Sequence, residues 1–284
     1  MDLKNTAMLI RGALVTRVRE FAPPLARRMS PSVRNWLLET LAEAAAAAGK
    51  SELYERLNEK QGKAVPPDSS IGAGDFDLFG AVELQLLRNH GLQPGDTVVD
   101  FGCGTGRLAV HLIPVLEGGR YIGIDIAPSM LDHAQRRVHQ RVPSPRCDIV
   151  WVKQISPRFD LAADSVDMIC AFSVFTHMEH EDTHNYLAAA LRVVRPGGTF
   201  VLSCLPMDLA VAREIFLAEA RLDLGARWTR VRNVTTTVEM IERVAKGAGW
   251  DVVRWYRGDE LNVDVPGRGR HALGQSSCIL VRPV

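Results

Sequence analysis

The sequence predicts an α/β fold, in which a doubly wound, seven-stranded sheet follows a helical N-terminal extension. From about residue 71, short apolar runs alternate with stretches of helical periodicity, which is typical of repeated βαβ units and of a parallel sheet covered on both faces. The residues before that point show only helical periodicity. A chain of 284 residues, 46% of them hydrophobic, can bury the core that such a domain needs. We therefore predict an extension over residues 1–70 and one α/β domain over residues 71–284.

The N-terminal extension carries two helical patterns. Apolar residues recur at three- and four-residue spacing over 3–21 and again over 33–48, and a Pro-Pro pair at 23–24 separates the two stretches. This spacing predicts two amphipathic helices. A second Pro-Pro pair, at 66–67, lies in a segment rich in glycine and serine over 62–74, which predicts the connection into the α/β domain.

The α/β domain shows seven β-type runs, with a helical pattern before the last two. Each run is short, apolar and bounded by turn-forming or helical residues, as expected for buried strands. The predicted strands are Thr97–Phe101, Arg120–Asp125, Ile149–Val152, Val166–Phe172, Thr199–Cys204, Trp250–Tyr256 and Ser277–Arg282, and the helix is Val238–Ala248.

Composition excludes several classes of protein. Lys and Arg total 34 against 33 Asp and Glu, so nothing in the overall charge favours a nucleic acid as partner. The five cysteines form no CxxC pair and fall mostly in or beside predicted strands, which favours buried thiols in a reduced compartment over a disulfide framework or a zinc site. No stretch reaches the roughly 18 apolar residues of a membrane span, and arginines interrupt the N-terminal apolar pieces, so a cytoplasmic protein is expected.

The most informative motif is a glycine-rich loop between the first predicted strand and the helix after it. The sequence there reads Gly102-Cys103-Gly104-Thr105-Gly106, and glycine is needed where the chain turns sharply or where backbone approaches a ligand. A dinucleotide fingerprint has the spacing G-x-G-x-x-G, whereas here the third glycine comes one residue early and Arg107 occupies its place. The loop therefore favours a nucleoside ligand without a pyrophosphate.

An acid follows the glycine loop at a meaningful distance. About twenty residues on, Asp125 ends the second predicted strand, where a carboxylate can accept hydrogen bonds from both hydroxyls of a ribose. A glycine turn followed by a solvated acid is the alternative, but the combination is far more specific than the glycines alone.

At this point the chain resembles the class I S-adenosylmethionine-dependent methyltransferases, which have a Rossmann-like sheet. The resemblance extends over about residues 72–284. Within that superfamily, Ile71–Phe76 and Phe172–Met178 are similar to a bacterial branch whose members are mostly uncharacterised, so the resemblance implies the reaction and not the substrate. The segments that match the ordered motifs of the superfamily are Val98–Leu108, Gly123–Ala134, Val166–His177 and Val194–Ser203.

The resemblance also implies which residues bind the cofactor, S-adenosylmethionine. Asp125 would take the ribose hydroxyls, with Ile126 and Met130 against the adenine. Members of the family usually end the third strand in an acid near the adenine amine, whereas here Gln154 stands in that place. The remaining expected contacts, around the methionine part and the loop, are Asp100, Gly102, Gly104, Thr105, Gly106 and Phe172.

His177 is the candidate catalytic base. It follows the fourth predicted strand, and ligands of open α/β sheets gather beyond the carboxyl ends of the strands. An alcohol acceptor must lose a proton, which a histidine can take near neutral pH. The alternative is that His177 caps or packs the following helix. No N-P-P-Y motif follows this strand, so a nucleic-acid base is not the expected acceptor.

Two neighbouring features allow a second interpretation. His180 and His184, with Glu181 between them, have the spacing of metal ligands on one helix face, but an acid-rich helix start near Glu179 accounts for the same residues, and no metal is expected.

The segment Leu205–Thr235 is predicted to be a lid and Leu261–Gln275 a second rim. Both are rich in arginine, which we interpret as solvated charge rather than as an anion site.

The N-terminal extension is basic and amphipathic. Contact with an anionic membrane is one interpretation, although the extension lacks a lipidation signal or a long apolar face. A cover over the active site or a homodimer contact is the simpler explanation.

The sequence thus predicts an enzyme that methylates a small molecule, with a hydroxyl oxygen as the preferred acceptor. Transfer to nitrogen or carbon stays open. So does a regulator that binds S-adenosylmethionine without turnover. A nicotinamide oxidoreductase is disfavoured by the glycine spacing.

Overall fold

The computed structural model describes residues 52–64, 75–227 and 229–284. The chain divides into two compact units, residues 1–56 and residues 57–284. The two amphipathic helices predicted over 3–21 and 33–48 lie outside the described residues, as does most of the predicted connection. Residues 62–64 of that connection belong instead to a helix over 52–64. This helix contains Gly62, and a neighbouring helix packs so closely at this position that a side chain would not fit.

Helices and strands alternate along the described chain. The helices are α1 (52–64), α2 (Phe76–Asn89), α3 (Ala109–Leu112), α4 (Pro128–Arg141), α5 (His180–Val193), α6 (Ala210–Ala220), α7 (Leu224–Arg227) and α8 (Val238–Gly247), with 3-10 turns at Ile113–Val115 and Phe175–His177. The strands are β1 (Thr97–Phe101), β2 (Glu117–Asp125), β3 (Arg146–Lys153), β4 (Val166–Ala171), β5 (Val194–Cys204), β6 (Asp251–Tyr256), β7 (Val263–Val265), β8 (Gly269–His271) and β9 (Ser276–Val281).

Seven of these strands form one sheet in the order β3-β2-β1-β4-β5-β9-β6, which confirms the predicted fold class. Strands β1 to β5 are parallel, whereas β9 is antiparallel to both β5 and β6, so the parallel arrangement indicated by the βαβ pattern ends at this edge. A parallel connection needs a crossover of a dozen or more residues, usually a helix. Residues 257–275 hold the hairpin β7–β8 instead, and the chain returns beside β6 in the opposite direction.

Three strands begin earlier than predicted. β2, β3 and β5 each start three to five residues before the apolar run that marks them, at Glu117, Arg146 and Val194. The added residues are mostly exposed and include polar residues, glycine and proline, so no hydrophobic signal announces them. The carboxyl ends of the strands, where the candidate site lies, agree with the prediction within one residue.

Two apolar clusters, one on each face of the sheet, form the core. On one face α5 and α8 pack against the strands, and the buried indole of Trp250 donates its Nε1–H to the Leu187 carbonyl at 2.9 Å. On the other face lie α2, α3 and part of α4. A third, smaller cluster joins Leu205, Leu209 and Ala212 at the start of α6, apart from both.

All five cysteines are free thiols in or next to strands, as predicted. Within the described ranges, no helix has both the length and the apolar character needed to cross a membrane.

Candidate active site

The glycine loop leaves β1 in a backbone conformation that favours glycine. Gly102, Gly104 and Gly106 all have positive φ, at 73°, 53° and 85°. A Cβ on Gly102 would lie 2.3 Å from Cγ2 of Val174, and one on Gly106 would lie 3.1 Å from Cα of Ala134. These glycines therefore allow both the turn and the close packing of the loop against its neighbours.

Asp125, at the end of β2, binds this loop directly. Its Oδ2 accepts a hydrogen bond from the Gly104 amide at 2.9 Å, and its Oδ1 accepts one from the Ala127 amide, also at 2.9 Å. Burial raises the pKa of the carboxyl, and the backbone donors act against that effect. A carboxylate has about four acceptor positions, and the Ile126 amide is a third backbone donor to this one, so about one position is left for a further donor.

Asp100 lies behind the loop in a fully enclosed position. Its Oδ2 accepts a hydrogen bond from the Tyr121 hydroxyl at 2.8 Å. Burial raises the pKa of Asp100 to about 7, and the nearby Glu83 carboxylate adds to the rise. No sequence pattern pointed to Tyr121 here, because a tyrosine on a buried strand is usually a packing residue.

Arg107, the residue in place of the third fingerprint glycine, forms a buried ion pair with Glu83 of α2. Its Nε donates to Oε2 of Glu83 at 3.2 Å, and Nη2 contacts the other oxygen. Glu83 is 4% exposed. Around the loop, three buried acids, Glu83, Asp100 and Asp125, thus outnumber two guanidiniums, those of Arg107 and Arg137. This arrangement favours a ligand that carries positive charge.

Two further predicted cofactor contacts are Thr105, within the loop, and Phe172, which follows β4. Thr105 is buried, and its carbonyl accepts a hydrogen bond from Nη1 of Arg137 at 2.6 Å. The same guanidinium stacks over Phe76, 4.0 Å from the ring centroid. Phe172 follows β4 and is half-buried against the core face that contains α2.

The residues expected near adenine follow β2 and β3. Met130 is buried on the first turn of α4, and Ile126 is half-buried just before it. The backbone amide of Gln154 donates to the Asp125 carbonyl at 3.1 Å. Its side-chain Nε2 donates to the Ser156 carbonyl at 3.0 Å. The side-chain oxygen of Gln154 is therefore the atom that remains as an acceptor.

Helix α1 contacts this side of the site, which the sequence did not reveal. Oε2 of Glu59 accepts hydrogen bonds from the amide and the hydroxyl of Ser129, at 3.0 and 2.9 Å. A Cβ on Gly62 would lie 2.3 Å from Oγ of Ser129 and 3.2 Å from Cε of Met130. The signal in hindsight is Gly62, a glycine within a helix, where close packing is the usual reason.

The end of β4 is strained. Ser173 has φ of 60°, a left-handed conformation that residues other than glycine rarely adopt. Its amide donates to Oγ of Ser203 at 2.7 Å, and that hydroxyl donates to Oε1 of Gln275 at 2.7 Å. This chain of hydrogen bonds fixes the turn next to the glycine loop.

His177 ends the 3-10 turn after β4, and its imidazole faces the predicted lid. Its Nδ1 is 2.7 Å from the carbonyl oxygen of Arg232. A carbonyl only accepts, so Nδ1 carries the proton and Nε2 is the basic nitrogen of the neutral ring. Burial lowers the pKa of His177, so the ring is neutral at pH 7. The hydrogen bond of Nδ1 thus goes to the lid segment rather than to helix α5.

The other histidines and the arginines have local roles. Nε2 of His180 lies 2.9 Å from Oγ1 of Thr236. In the part of the chain that the structure describes, no three His, Cys, Asp or Glu side chains are placed to hold a metal ion. Four arginines of the predicted lid bind carbonyls or carboxylates within it or at the end of β4: Arg213, Arg227, Arg230 and Arg232.

The two loops expected to surround the site differ from each other. The predicted lid contains α6 and α7, and its end returns along residues 176–179. The predicted second rim is not a simple loop, because it contains the short hairpin β7–β8. Its three-residue strands lack a long alternating pattern, which is why the sequence did not reveal them.

The part of the chain that holds the candidate site matches a known family. The model of a family described as a methyltransferase domain matches residues 98–198. The matched region begins in β1 and ends in β5. It therefore contains the glycine loop, Asp125 and His177.

Two named relatives match a larger part of the chain. Demethylmenaquinone methyltransferase of Symbiobacterium thermophilum is 32% identical over 170 residues, which is 58% of this chain and 61% of the relative. Malonyl-[acyl-carrier protein] O-methyltransferase of Serratia marcescens is 33% identical over 173 residues, 60% of this chain and 59% of the relative. The chain thus spans about three fifths of the length of these relatives.

Solved structures show the same fold at lower identity. Magnesium protoporphyrin IX methyltransferase of Synechocystis PCC 6803, solved with bound S-adenosylmethionine, aligns with a TM-score of 0.55 at 16% identity and covers 82% of this chain and 97% of its own. A Pyrococcus horikoshii protein aligns with a TM-score of 0.56 at 16% identity and covers 79% and 99%. Identities this low establish the fold alone.

Proposed function

We propose that this chain, which carries a class I S-adenosylmethionine-dependent methyltransferase domain, transfers a methyl group to a hydroxyl oxygen of a small molecule. The observation that carries the proposal is the acidic glycine loop at the carboxyl ends of β1 and β2. It combines three glycines of positive φ with three buried carboxylates and two guanidiniums, those of Arg107 and Arg137.

The loop fits S-adenosylmethionine on chemical grounds. Asp125 ends β2 beside the loop, and its carboxylate keeps acceptor capacity for a ribose hydroxyl in addition to its backbone donors. The excess of buried acids complements a cofactor that carries a sulfonium and an ammonium group. Met130 and Ile126 supply an apolar surface for adenine, and Oε1 of Gln154 supplies an acceptor for its amine.

A dinucleotide fits the same loop less well. Arg107 occupies the position at which the dinucleotide fingerprint requires glycine for close packing of helix and strand. Its side chain is committed to Glu83 in the protein interior. Nothing in the loop therefore compensates for the missing third glycine.

Bound S-adenosylmethionine supplies an electrophilic methyl group on a sulfonium. The protein's task is to hold the acceptor in line with that group in a dry pocket, and such orientation is worth on the order of 7–11 kcal/mol. In our proposal, Nε2 of His177 accepts the proton of the hydroxyl as the new carbon–oxygen bond forms. Its neutral state at pH 7 and its Nδ1–H tautomer suit that role.

The preference for oxygen over nitrogen or carbon depends on His177. One relative bears the name of an O-methyltransferase, which supports the choice. In this proposal residues 71–284 form the catalytic domain, and the residues before them form a helical extension that mediates a homodimer. The acceptor is a small molecule, no nucleic acid is a partner, contact with a membrane is not favoured, and the protein acts in the bacterial cytoplasm.

The test is calorimetric titration with S-adenosylmethionine, its demethylated product and NAD, followed by a screen of acceptors with the ligand that binds. Micromolar binding of the first two, then methylation of a hydroxyl compound, is expected. Binding of NAD alone would refute the proposal. Methylation only of amines or activated carbons would refute the choice of oxygen, and binding without turnover on any acceptor would favour a regulator.

A further inference from the structure

The segment 230–234, which ends the lid, lies against the turn that carries His177. Its three contacts with residues 176–179 involve both backbone and side chain. The Arg232 carbonyl accepts from Nδ1 of His177 at 2.7 Å, and the Val234 amide donates to the Thr176 carbonyl at 2.7 Å. Nη1 of Arg232 donates to Oε1 of Glu179 at 2.8 Å. The state of the His177 ring thus depends on where this segment lies.

A single side chain of α6 holds the segment from the other side. Oε1 of Glu219 accepts from Nη2 of Arg230 at 2.6 Å and from the backbone amide and Nδ2 of Asn233, both at 3.3 Å. These donors lie on either side of Arg232 in the sequence. Glu219 therefore fixes the residue whose carbonyl orients His177.

Glu219 has an oxygen that takes no part in holding the segment. It is 9% exposed, and its second oxygen, Oε2, is buried without a hydrogen-bond partner. Leaving a buried acceptor unpaired is unfavourable by about 1–3 kcal/mol, and more when it is charged. Oε1 alone makes the brace, including the ion pair with Arg230, so Oε2 and its share of the negative charge are left for a second use.

That use is found at His177. The negative charge of Glu219 raises the pKa of His177, against the larger lowering caused by burial. The other charged groups around the ring are Glu179, on its own turn, and Arg230 and Arg232, on the lid segment. Arg232 is paired with Glu179, and Arg230 with Glu219. Glu219 is thus placed to favour a protonated ring.

The geometry points to Glu219 as a positioning residue for His177: it clamps segment 230–234 so that the Arg232 carbonyl holds the Nδ1–H tautomer, and its charge stabilises the imidazolium that forms when Nε2 takes the acceptor's proton. This inference rests on the proposed role of His177 as the base. In many enzymes a buried carboxylate orients a histidine and stabilises its charged form. Here Glu219 orients His177 indirectly, through the Arg232 carbonyl.

The test is nitrogen NMR of the imidazole of His177 in protein labelled with ¹⁵N-histidine, with the signal assigned by His177→Gln. In the unsubstituted protein we expect a protonated Nδ1. Glu219→Ala should give mixed tautomers, and the ring should titrate at lower pH. Glu219→Gln keeps an acceptor for Asn233, so it should keep the tautomer and lower the titration midpoint alone. Glu214→Gln, on an exposed position of α6, is the matched control and should change neither.

Activity supplies a second readout. Loss of a residue that orients a catalytic group commonly costs about 10–100-fold in turnover, and we expect Glu219→Ala to fall in that range with the affinity for S-adenosylmethionine unchanged. Glu219→Gln should lose less and should move the acid limb of the pH profile to lower pH.

The outcomes separate this inference from the proposed function. If Glu219→Ala is folded and leaves both the tautomer and the titration of His177 unchanged, the positioning role is refuted, whatever the activity. If Glu219→Ala fails to fold, Glu219→Gln decides, and a titration identical to that of Glu214→Gln refutes the role. If the ring signals shift as expected but His177→Ala keeps full turnover, the proposed base is wrong while the coupling of Glu219 to the ring is confirmed.

Discussion

The hydroxyl of Tyr121 donates a hydrogen bond to the carboxylate of Asp100 across 2.8 Å, in a place that solvent barely reaches. Burial dominates this pair, because it raises the pKa of Asp100 from 3.8 to about 7 in spite of the donor. Between these two values the folded protein binds more protons than the unfolded chain does. The free energy of unfolding therefore falls as the pH rises from 3.8 to about 7.

We predict that Asp100→Asn removes this part of the pH dependence, since asparagine stays neutral and still accepts from Tyr121. Without ligand, the variant should melt at a higher temperature than the unsubstituted protein above pH 7, and the difference should shrink toward acid pH. Melting curves across this range measure both. A difference that does not change with pH would show that Asp100 is ionised throughout.

Asp125→Ala should weaken the binding of S-adenosylmethionine, because ribose hydroxyls would be buried without an acceptor. The expected loss is roughly 1–3 kcal/mol, or about 5- to 150-fold in Kd. Titration calorimetry measures it. Asp125→Asn, which retains one acceptor oxygen, should lose less. Unchanged affinity in the alanine variant would remove Asp125 from the ribose site.

Gly102→Ala should destabilise the protein more than Gly118→Ala, although both glycines have a φ of 73°. The left-handed backbone conformation costs about 1–2 kcal/mol at either position. At Gly102 the new methyl group also meets Val174, whereas nothing lies within 4 Å of a Cβ on Gly118. Overpacking adds roughly 1–3 kcal/mol. Urea unfolding measures the difference, and Val174→Ala should recover part of it; equal losses would mean that the loop yields to the added methyl group.

His177→Ala should bind S-adenosylmethionine normally and lose turnover on a hydroxyl acceptor by roughly 10²–10⁴-fold. In the unsubstituted protein, kcat/KM should fall as the pH falls below 6.5, because burial places the pKa of His177 under that ordinary value. His139→Ala, at an exposed position of α4, serves as the control. Full activity in His177→Ala would leave this histidine a structural role.

Glu59→Ala should loosen the contact between α1 and the start of α4. Ala127, the N-cap residue of α4, offers no side-chain hydrogen bond, and Glu59 supplies one to the Ser129 amide in its place. Loss of such a cap costs about 1 kcal/mol. Hydrogen exchange should quicken in residues 57–64 and 128–131, and Glu52→Ala, at an exposed position of the same helix, should leave both unchanged. Equal exchange in the two variants would refute the capping role.

Local patterns revealed the parts of the fold that local physics determines. Strand β1 lies where it was predicted, and the glycine loop follows it, because apolar runs and glycine spacing are properties of neighbouring residues. The partner of a strand is a long-range property. Strand β9 was predicted, but its antiparallel direction and the hairpin β7–β8 were not.

The candidate site divides in the same way. Asp125 could be proposed as a cofactor residue from the sequence, because its distance from the loop along the chain is itself the signal. Glu83, Tyr121, Glu59 and Glu219 were not found, since a charged or aromatic residue in a helix or strand does not disclose which group it will meet. The sequence named His177 as a candidate base. The tautomer of its ring depends on Arg232, which is more than fifty residues away in sequence.

The position of β9 between β5 and β6 has a consequence for folding on the ribosome. Strands β1 to β5 can pair in the order in which they are synthesised, and the cofactor loop with them. Strand β6 pairs with β9, which is made later, so it cannot join the sheet until residue 281 has left the exit tunnel. Gln275 reaches Ser203 in the same step. The hydrogen-bonded turn after β4 is therefore completed only when the last strand of the sheet is in place.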